Sequence, residues 1–210
     1  KVQSKNIWQK MGLPVIDGIV LPDNINFKDA KLKIESFGFP CFLKPVAEGS
    51  SVDVYCLKSI ADLEKLSDKL SAYFFKKNWM LERRISGREF SVGILNNQAL
   101  PIVEIKPKDE YYSYEAKYFS DKTEYVCPAN LSEEDTKKMQ ALAQRAFKAI
   151  NCEHWGRVDF MMDDFGVYLL EVDTVPGLTP SSLFPKAASS IGVEFDDLIL
   201  KLLELERVTC

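Results

Sequence analysis

The stretch WGRVDFMMDDFGVYLLEVDTVPG, residues 155–177, decides how this chain folds. Its two apolar runs, 157–163 and 167–173, have strand length, and Asp164-Phe165-Gly166 separates them, which predicts an antiparallel hairpin. Side chains two apart on a strand leave the same face, so Glu171 and Asp173 share one. If the hairpin closes at 164–166, Asp159 lies within one or two residues of being opposite them. Carboxylates grouped on one face repel one another unless a cation sits among them, and hard oxygen donors of this kind suit Mg²⁺. An exposed acidic face is the alternative. Phe160, Tyr168, Leu169 and Leu170 instead mark partly buried strands, where an unpaired carboxylate is costly. Arg157 shares the face of Asp159 and either neutralises the acids or clamps an anionic substrate. The strand end turns at Pro176-Gly177, a place for ligand contacts as well as plain turns.

Working outward, the segment before the hairpin predicts a helix capped by Ser132. Glu133, Glu134 and Asp135 fill its first turn, and Met139, Leu142, Ala143, Ala146, Phe147 and Ile150 line one face. Residues 106–124 are polar and tyrosine-bearing without periodicity, a long loop of the kind that is functional or disordered. Before it, 89–95 and 99–105 read as a hairpin turning at Asn96-Asn97. The first third predicts a helix at 4–12, a strand at 15–21, a helix at 27–37 ending at Gly38 and the strand CFLKP. A helix then starts at Ser59, with Leu63, Leu66, Leu70 and Tyr73 at helical spacing, and a strand follows at 79–85. Two short helices close the chain. The fold class is α+β, with lobes at residues 1–84 and 85–210. Lys44-Pro45 followed by Glu48-Gly49-Ser50-Ser51 offers an ammonium and a hydroxyl-bearing turn to phosphate, although such a turn is also ordinary. It is not a Walker loop.

Composition narrows the chemistry. The chain has 210 residues, is 46% hydrophobic and 28% charged, and carries a formal net charge of −4, which describes a soluble globular protein without the basic stripe of a nucleic-acid binder. One histidine, His154, excludes sites built on two or three imidazoles, so carboxylates, lysines and arginines must carry any catalysis. The five cysteines are scattered without C-x-x-C spacing, which fits a reducing cytoplasm better than a disulfide framework. No apolar run reaches the ~18 residues of a membrane helix. The first residue, Lys1, is not Met, and the chain is expected to be a piece of something longer.

Taken together and in order, FLKPVAEGSSV (42–52), LERRISGREFSV (81–92), YEAKYFSDKTEYVCPA (114–129), WGRVDFM (155–161) and YLLEVDTVPGLTPSSL (168–183) resemble the ATP-grasp superfamily. More narrowly, they resemble the D-alanine–D-alanine ligase family. The resemblance implies an ATP-grasp fold with the nucleotide cleft between two α+β lobes, ATP with two Mg²⁺ or Mn²⁺ ions, D-alanine as substrate, and a cytoplasmic homodimer when complete. It assigns ATP to Lys1, Lys44, Glu82, Arg83, Ile85 and Glu89, with Glu82 to Ile85 facing adenine and Glu89 the ribose. Ser50 and Ser51 fall on a loop over phosphate and substrate, and Lys117 and Tyr118 on a second lid, with Lys117 aimed at the γ-phosphate. Asp159, Glu171 and Asp173 match the metal ligands. Arg157 matches the clamp on acyl phosphate and oxyanion, while Gly177, Ser182 and Leu183 match the site of the second D-alanine.

Two positions depart from the family pattern: Asp173 stands where asparagine is usual, and Asp53 where glycine is usual. The family's N-terminal substrate domain is absent from these residues. Two other readings remain: a nucleotide-binding module without turnover, and a D-alanine–D-lactate type ligase, against which Tyr118 argues.

Overall fold

In the computed structural model, which describes residues 1–49, 52–71, 74, 77–108 and 123–207, the chain forms two compact units. The first holds Lys1–Val2 and Ile16–Ile85, and the second holds Gln3–Val15 with 86–108 and 123–207.

The first unit is built on four antiparallel strands: β1 (Gly18–Val20), β2 (Cys41–Pro45), β3 (Tyr55–Leu57) and β4 (Trp79–Arg83), in the order β1-β4-β2-β3. Alternation along β2 sends Cys41 and Leu43 into an apolar core with Leu57, Trp79 and Leu81, and turns Phe42 and Lys44 to the opposite face. Helix α2 (Phe27–Phe37) closes that core with Ala30 and Ile34. Its start is held by the Asn26 side chain accepting from Asp29 N at 2.9 Å, and it stops at Gly38, whose φ of +93° suits glycine.

The single helix expected from Ser59 is two short ones, α3 (Ile60–Lys65) and α4 (Ser67–Ser71). At the junction Leu66 N donates to Leu63 O, a tightened last turn, yet Leu63 and Leu70 both remain buried. Tyr73 lies outside the described residues. Strand β3 has three residues, too few to show a period in the sequence.

The second unit has a sheet of order β10-β9-β5-β7-β8, with β6 paired to β5. These are β5 (Arg88–Leu95), β6 (Gln98–Ala99), β7 (Val103–Lys106), β8 (Glu124–Val126), β9 (Trp155–Asp163) and β10 (Gly166–Asp173). The strand expected at 99–105 is interrupted, because Pro101 has no N–H for a ladder. The ends of the expected 106–124 loop are strand instead, with Lys106 paired to Glu124. Helix α5 (Glu133–Ala149) packs Met139, Ala143, Ala146 and Phe147 on the face bearing Phe90, Val92, Val158 and Phe160. Helices α6 (Leu183–Ser189) and α7 (Phe195–Arg207) cover part of the other, placing Phe184 and Leu198 with Leu100 and Val103. Gly93 permits this: a Cβ there would stand 2.9 Å from both Leu100 and Phe184.

One element changes place relative to the sequence reading. Helix α1 (Val2–Lys10), expected in the first lobe, packs almost entirely with the second unit. The reason is Trp8, which is fully buried among Met139, Ala143 and Phe147 and donates its indole N–H to Ala146 O at 2.8 Å.

An ion pair ties β5 to β7. Arg88 Nε and Nη2 donate to Glu104 Oε1 and Oε2 at 2.7 and 2.9 Å, and these bonds hold the Glu104 carboxyl below its ordinary 4.5. A depressed folded value means that the pair contributes stability above the unfolded pKa and loses it as pH falls through the folded one. Urea midpoints should therefore drop on acidification below about pH 4.5, and Glu104→Gln should flatten that dependence. An acid limb equally steep in Glu104→Gln would show that the pair contributes nothing to it.

Candidate active site

The acidic face of the second unit is made by a change of register. From the two-residue turn Asp164-Phe165, pairing runs regularly from Asp163↔Gly166 to Phe160↔Leu169, and then shifts by one residue so that Asp159 faces Glu171 and Arg157 faces Asp173. Continued without the shift, the ladder would set Glu171 opposite Val158, on the face that carries the α5 core. The extra residue at Leu170 is a β-bulge, and it returns Glu171 and Asp173 to the side of Asp159. Residues Pro14 and Val15 brace this point: Leu169 N donates to Pro14 O at 2.8 Å, and Val15 bridges Leu169. The turn is fixed by the Asp163 carboxylate, which accepts from Phe165 N and Gly166 N at 2.8 and 3.0 Å.

On this face Arg157 is gripped by acids. Its Nε and Nη2 donate to Asp159 Oδ1 and Oδ2 at 2.8 and 2.9 Å, and Nη2 stands 3.5 Å from Asp173 Oδ2. Burial alone would favour the neutral guanidine, but the charge and hydrogen bonds of Asp159, with the charges of Asp173 and Glu171, outweigh it and raise the Arg157 pKa. Ser91 Oγ completes the buried Asp159 with a 2.7 Å bond. Ser91 was not anticipated from sequence, although its signal is simple: it stands two residues after Glu89 on β5 and faces Asp159 across the ladder. Glu89 therefore belongs to the same face.

The donor set, carboxylates on one sheet face, fits a hard divalent cation in kind. Among the described residues, however, no three such groups converge on one point, and Arg157 is the cation that engages Asp159.

Beyond β10, Ser182 stands at the start of α6 with its hydroxyl turned back to the preceding turn and not bonded to the helix. Its Oγ accepts from Thr179 N at 3.2 Å and lies 2.8 Å from Thr179 Oγ1. A Cβ on Gly177 would come 3.1 Å from that hydroxyl, so the glycine lets the Pro176-Gly177 turn lie against the Ser182–Leu183 helix start. These residues form one hydroxyl-rich corner.

In the first unit Lys44 Nζ meets Glu82 Oε2 at 2.5 Å, with both side chains buried. The register explains the pairing: Glu82 faces Phe42, two residues from Lys44, on the side of the sheet away from the apolar core. Arg83 closes β4, its N–H bonded to Asp17 O, and Ile85 follows it, half-buried. Lys1 Nζ donates to Glu48 O. Ser50, Ser51, Lys117 and Tyr118 lie outside the described residues.

Comparison with known proteins matches this architecture. The family model described as D-ala D-ala ligase C-terminus fits residues 7–204. D-alanine–D-alanine ligase of Saccharophagus degradans is 42% identical over 204 residues, covering 97% of this chain and 63% of its own length. That of Haemophilus influenzae is 39% identical over 207 residues, covering 98% and 69%. Among solved structures, D-alanine–D-alanine ligase from Bacillus anthracis superposes with a TM-score of 0.81 at 30% identity, over 99% of this chain and 67% of its own. The same protein complexed with ATP gives 0.77 at 29% identity, over 99% and 66%. The chain thus spans about two thirds of the length of the relatives it matches.

The grip on Arg157 has a measurable consequence. Removing one partner of a buried pair leaves the other charge uncompensated, so Arg157→Met should lower urea stability by about 3 kcal/mol or more. The double variant Arg157→Met/Asp159→Asn should recover part of that loss. A double variant that loses the sum of the two single effects would show that the residues are not coupled.

Proposed function

This chain belongs to the D-ala D-ala ligase C-terminus family, an ATP-grasp fold, and from that membership we propose that it acts in an ATP-dependent ligase joining two D-alanines for peptidoglycan precursors. The observation that carries this reading is the arrangement of Arg157 against Asp159 and Asp173, with Glu171 opposite Asp159 on the same sheet face. Such a face suits a reaction in which negative charge moves between phosphate and carbonyl oxygens.

In the proposed reaction a carboxylate oxygen of the first D-alanine attacks the γ-phosphorus of ATP, and the bond from that phosphorus to the bridging oxygen of ADP breaks. The amine of the second D-alanine then attacks the carbonyl carbon of the acyl phosphate. The amine loses its proton, the C–O bond to phosphate breaks, and inorganic phosphate leaves. Lys44 and Lys117 offset charge on the transferred phosphoryl group. Arg157 donates to the acyl phosphate and then to the tetrahedral oxyanion, where a fixed donor is worth most. Glu82, Arg83 and Ile85 take the adenine, Glu89 the ribose, and Lys1 the phosphates. Ser50, Ser51 and Tyr118 screen the acyl phosphate from water. Gly177, Ser182 and Leu183 receive the second D-alanine, with the Ser182 hydroxyl and α6 amides as donors to its carboxylate. Asp159, Glu171 and Asp173 would hold Mg²⁺ or Mn²⁺, two ions in all, which neutralise phosphate charge when bound. The setting is cytoplasmic, and the complete enzyme is a homodimer.

Phosphate release from ATP should depend on D-alanine and Mg²⁺, and mass spectrometry should find the dipeptide. Glu171→Gln should cut turnover by about 10- to 100-fold or more while the circular dichroism spectrum and urea midpoint stay unchanged. D-Lactate offered with D-alanine should give no ester. Release indifferent to D-alanine, or to Glu171→Gln, would contradict the proposal.

A further inference from the structure

On the acidic face of the second unit, the grip on Arg157 depends on the plane of one carboxylate. Asp159 Oδ1 accepts from Arg157 Nε at 2.8 Å and Oδ2 from Arg157 Nη2 at 2.9 Å, and such a fork closes while carboxylate and guanidinium stay near one plane. The last torsion of an aspartate is soft, so that plane needs a further fix. Ser91 supplies one. Its hydroxyl donates to Asp159 Oδ1 at 2.7 Å, and both residues are buried.

The sheet explains why this task falls to Ser91. Strand β5 lies between β9 and β7, so Ser91 is paired on both sides, with Asp159 and with Val103. Its backbone therefore has little freedom, and the serine side chain has a single torsion to set. Directly across the ladder from Arg157, β5 carries Gly93, which has no side chain to engage the guanidinium. Ser91, next along the same face, reaches Arg157 through the Asp159 carboxylate instead. From β10, Asp173 Oδ2 stands 3.5 Å from Arg157 Nη2, a longer contact to one nitrogen that does not fix the plane.

We infer that Ser91 is a positioning residue for the proposed reaction: by fixing the plane of Asp159 it aims the Arg157 guanidinium, and so sets the rate of the step in which Arg157 meets the oxyanion. The inference rests on the role proposed for Arg157. An interaction that matters only as charge develops lowers kcat without changing nucleotide binding. A hydrogen bond to a charged group sets the scale, so Ser91→Ala should cut kcat for dipeptide formation about tenfold and leave the KM for ATP within about twofold. Ser91→Thr, which keeps the hydroxyl, should regain most of the rate.

Exchange of the Arg157 Nε proton with water, followed by nuclear magnetic resonance without nucleotide, supplies a readout free of turnover. It should quicken about tenfold in Ser91→Ala and return toward the original rate in Ser91→Thr. Unchanged exchange in Ser91→Ala would overturn the positioning role, whatever the activity. Faster exchange with kcat intact, an equal loss of kcat in Ser91→Ala and Ser91→Thr, or a KM for ATP that rises as much as kcat falls would overturn its part in the reaction. No dipeptide from the unaltered chain would overturn the ligase reading and the part of Ser91 in it, while the exchange result still decides the positioning.

Discussion

A single inserted residue governs where the charges of the second unit point. Side chains on a strand alternate strictly, so the register of β10 against β9 decides whether Glu171 and Asp173 enter the α5 core or join Asp159 on the opposite face. The bulge at Leu170 sets that choice: Val167 and Leu169 face the core before it, and Val172 faces the core after it. Bulges need support because they interrupt the ladder, and here Pro14 and Val15 provide it from the segment that follows α1. This gives physical sense to the placement of α1 with the second unit. Trp8 anchors the helix on Ala146 and Phe147, and the chain leaving it reaches the strand at the bulge.

Gathering carboxylates on one face creates a second requirement, since each must find positive charge or hydrogen-bond donors in a partly buried setting. Arg157 meets it internally, with two bonds to Asp159 and a longer contact to Asp173. In the proposed reaction the same group serves the oxyanion, so one residue both balances the face at rest and stabilises charge as it develops. Asp173 deepens the acidity, since an asparagine there would bring no charge to Arg157. On the first unit Lys44 and Glu82 pair in the same manner on the side of the sheet away from the core.

Much of this was readable from residues alone, for definite reasons. The hairpin at 157–173 and the helix after Ser132 carry strong periods and clear turn or cap residues, and the structure has both. The shared face of Arg157 and Asp159 follows from spacing. The bulge does not, because one extra residue leaves the apolar pattern nearly intact; a regular ladder from the turn would have predicted the wrong partner for Glu171. Strands β3 and β8 are three residues each, below the length at which alternation is visible. The interruption between β6 and β7 had a signal in Pro101, but the apolar residues around it masked the break. The ion pair between Lys77 and Asp53 had none, since it joins residues 24 apart that no local pattern connects. Helix α1 was recognisable, whereas its partner was not: an amphipathic helix shows that it must be covered without showing by what.

The most direct test of the account follows the oxygen atom that the proposed acyl phosphate must transfer. D-Alanine labelled with ¹⁸O in its carboxylate, turned over with ATP and Mg²⁺, should deliver one labelled oxygen to inorganic phosphate for each dipeptide formed, visible as an isotope shift in the ³¹P spectrum. Dipeptide formation accompanied by phosphate free of ¹⁸O would contradict activation of the carboxylate by phosphoryl transfer.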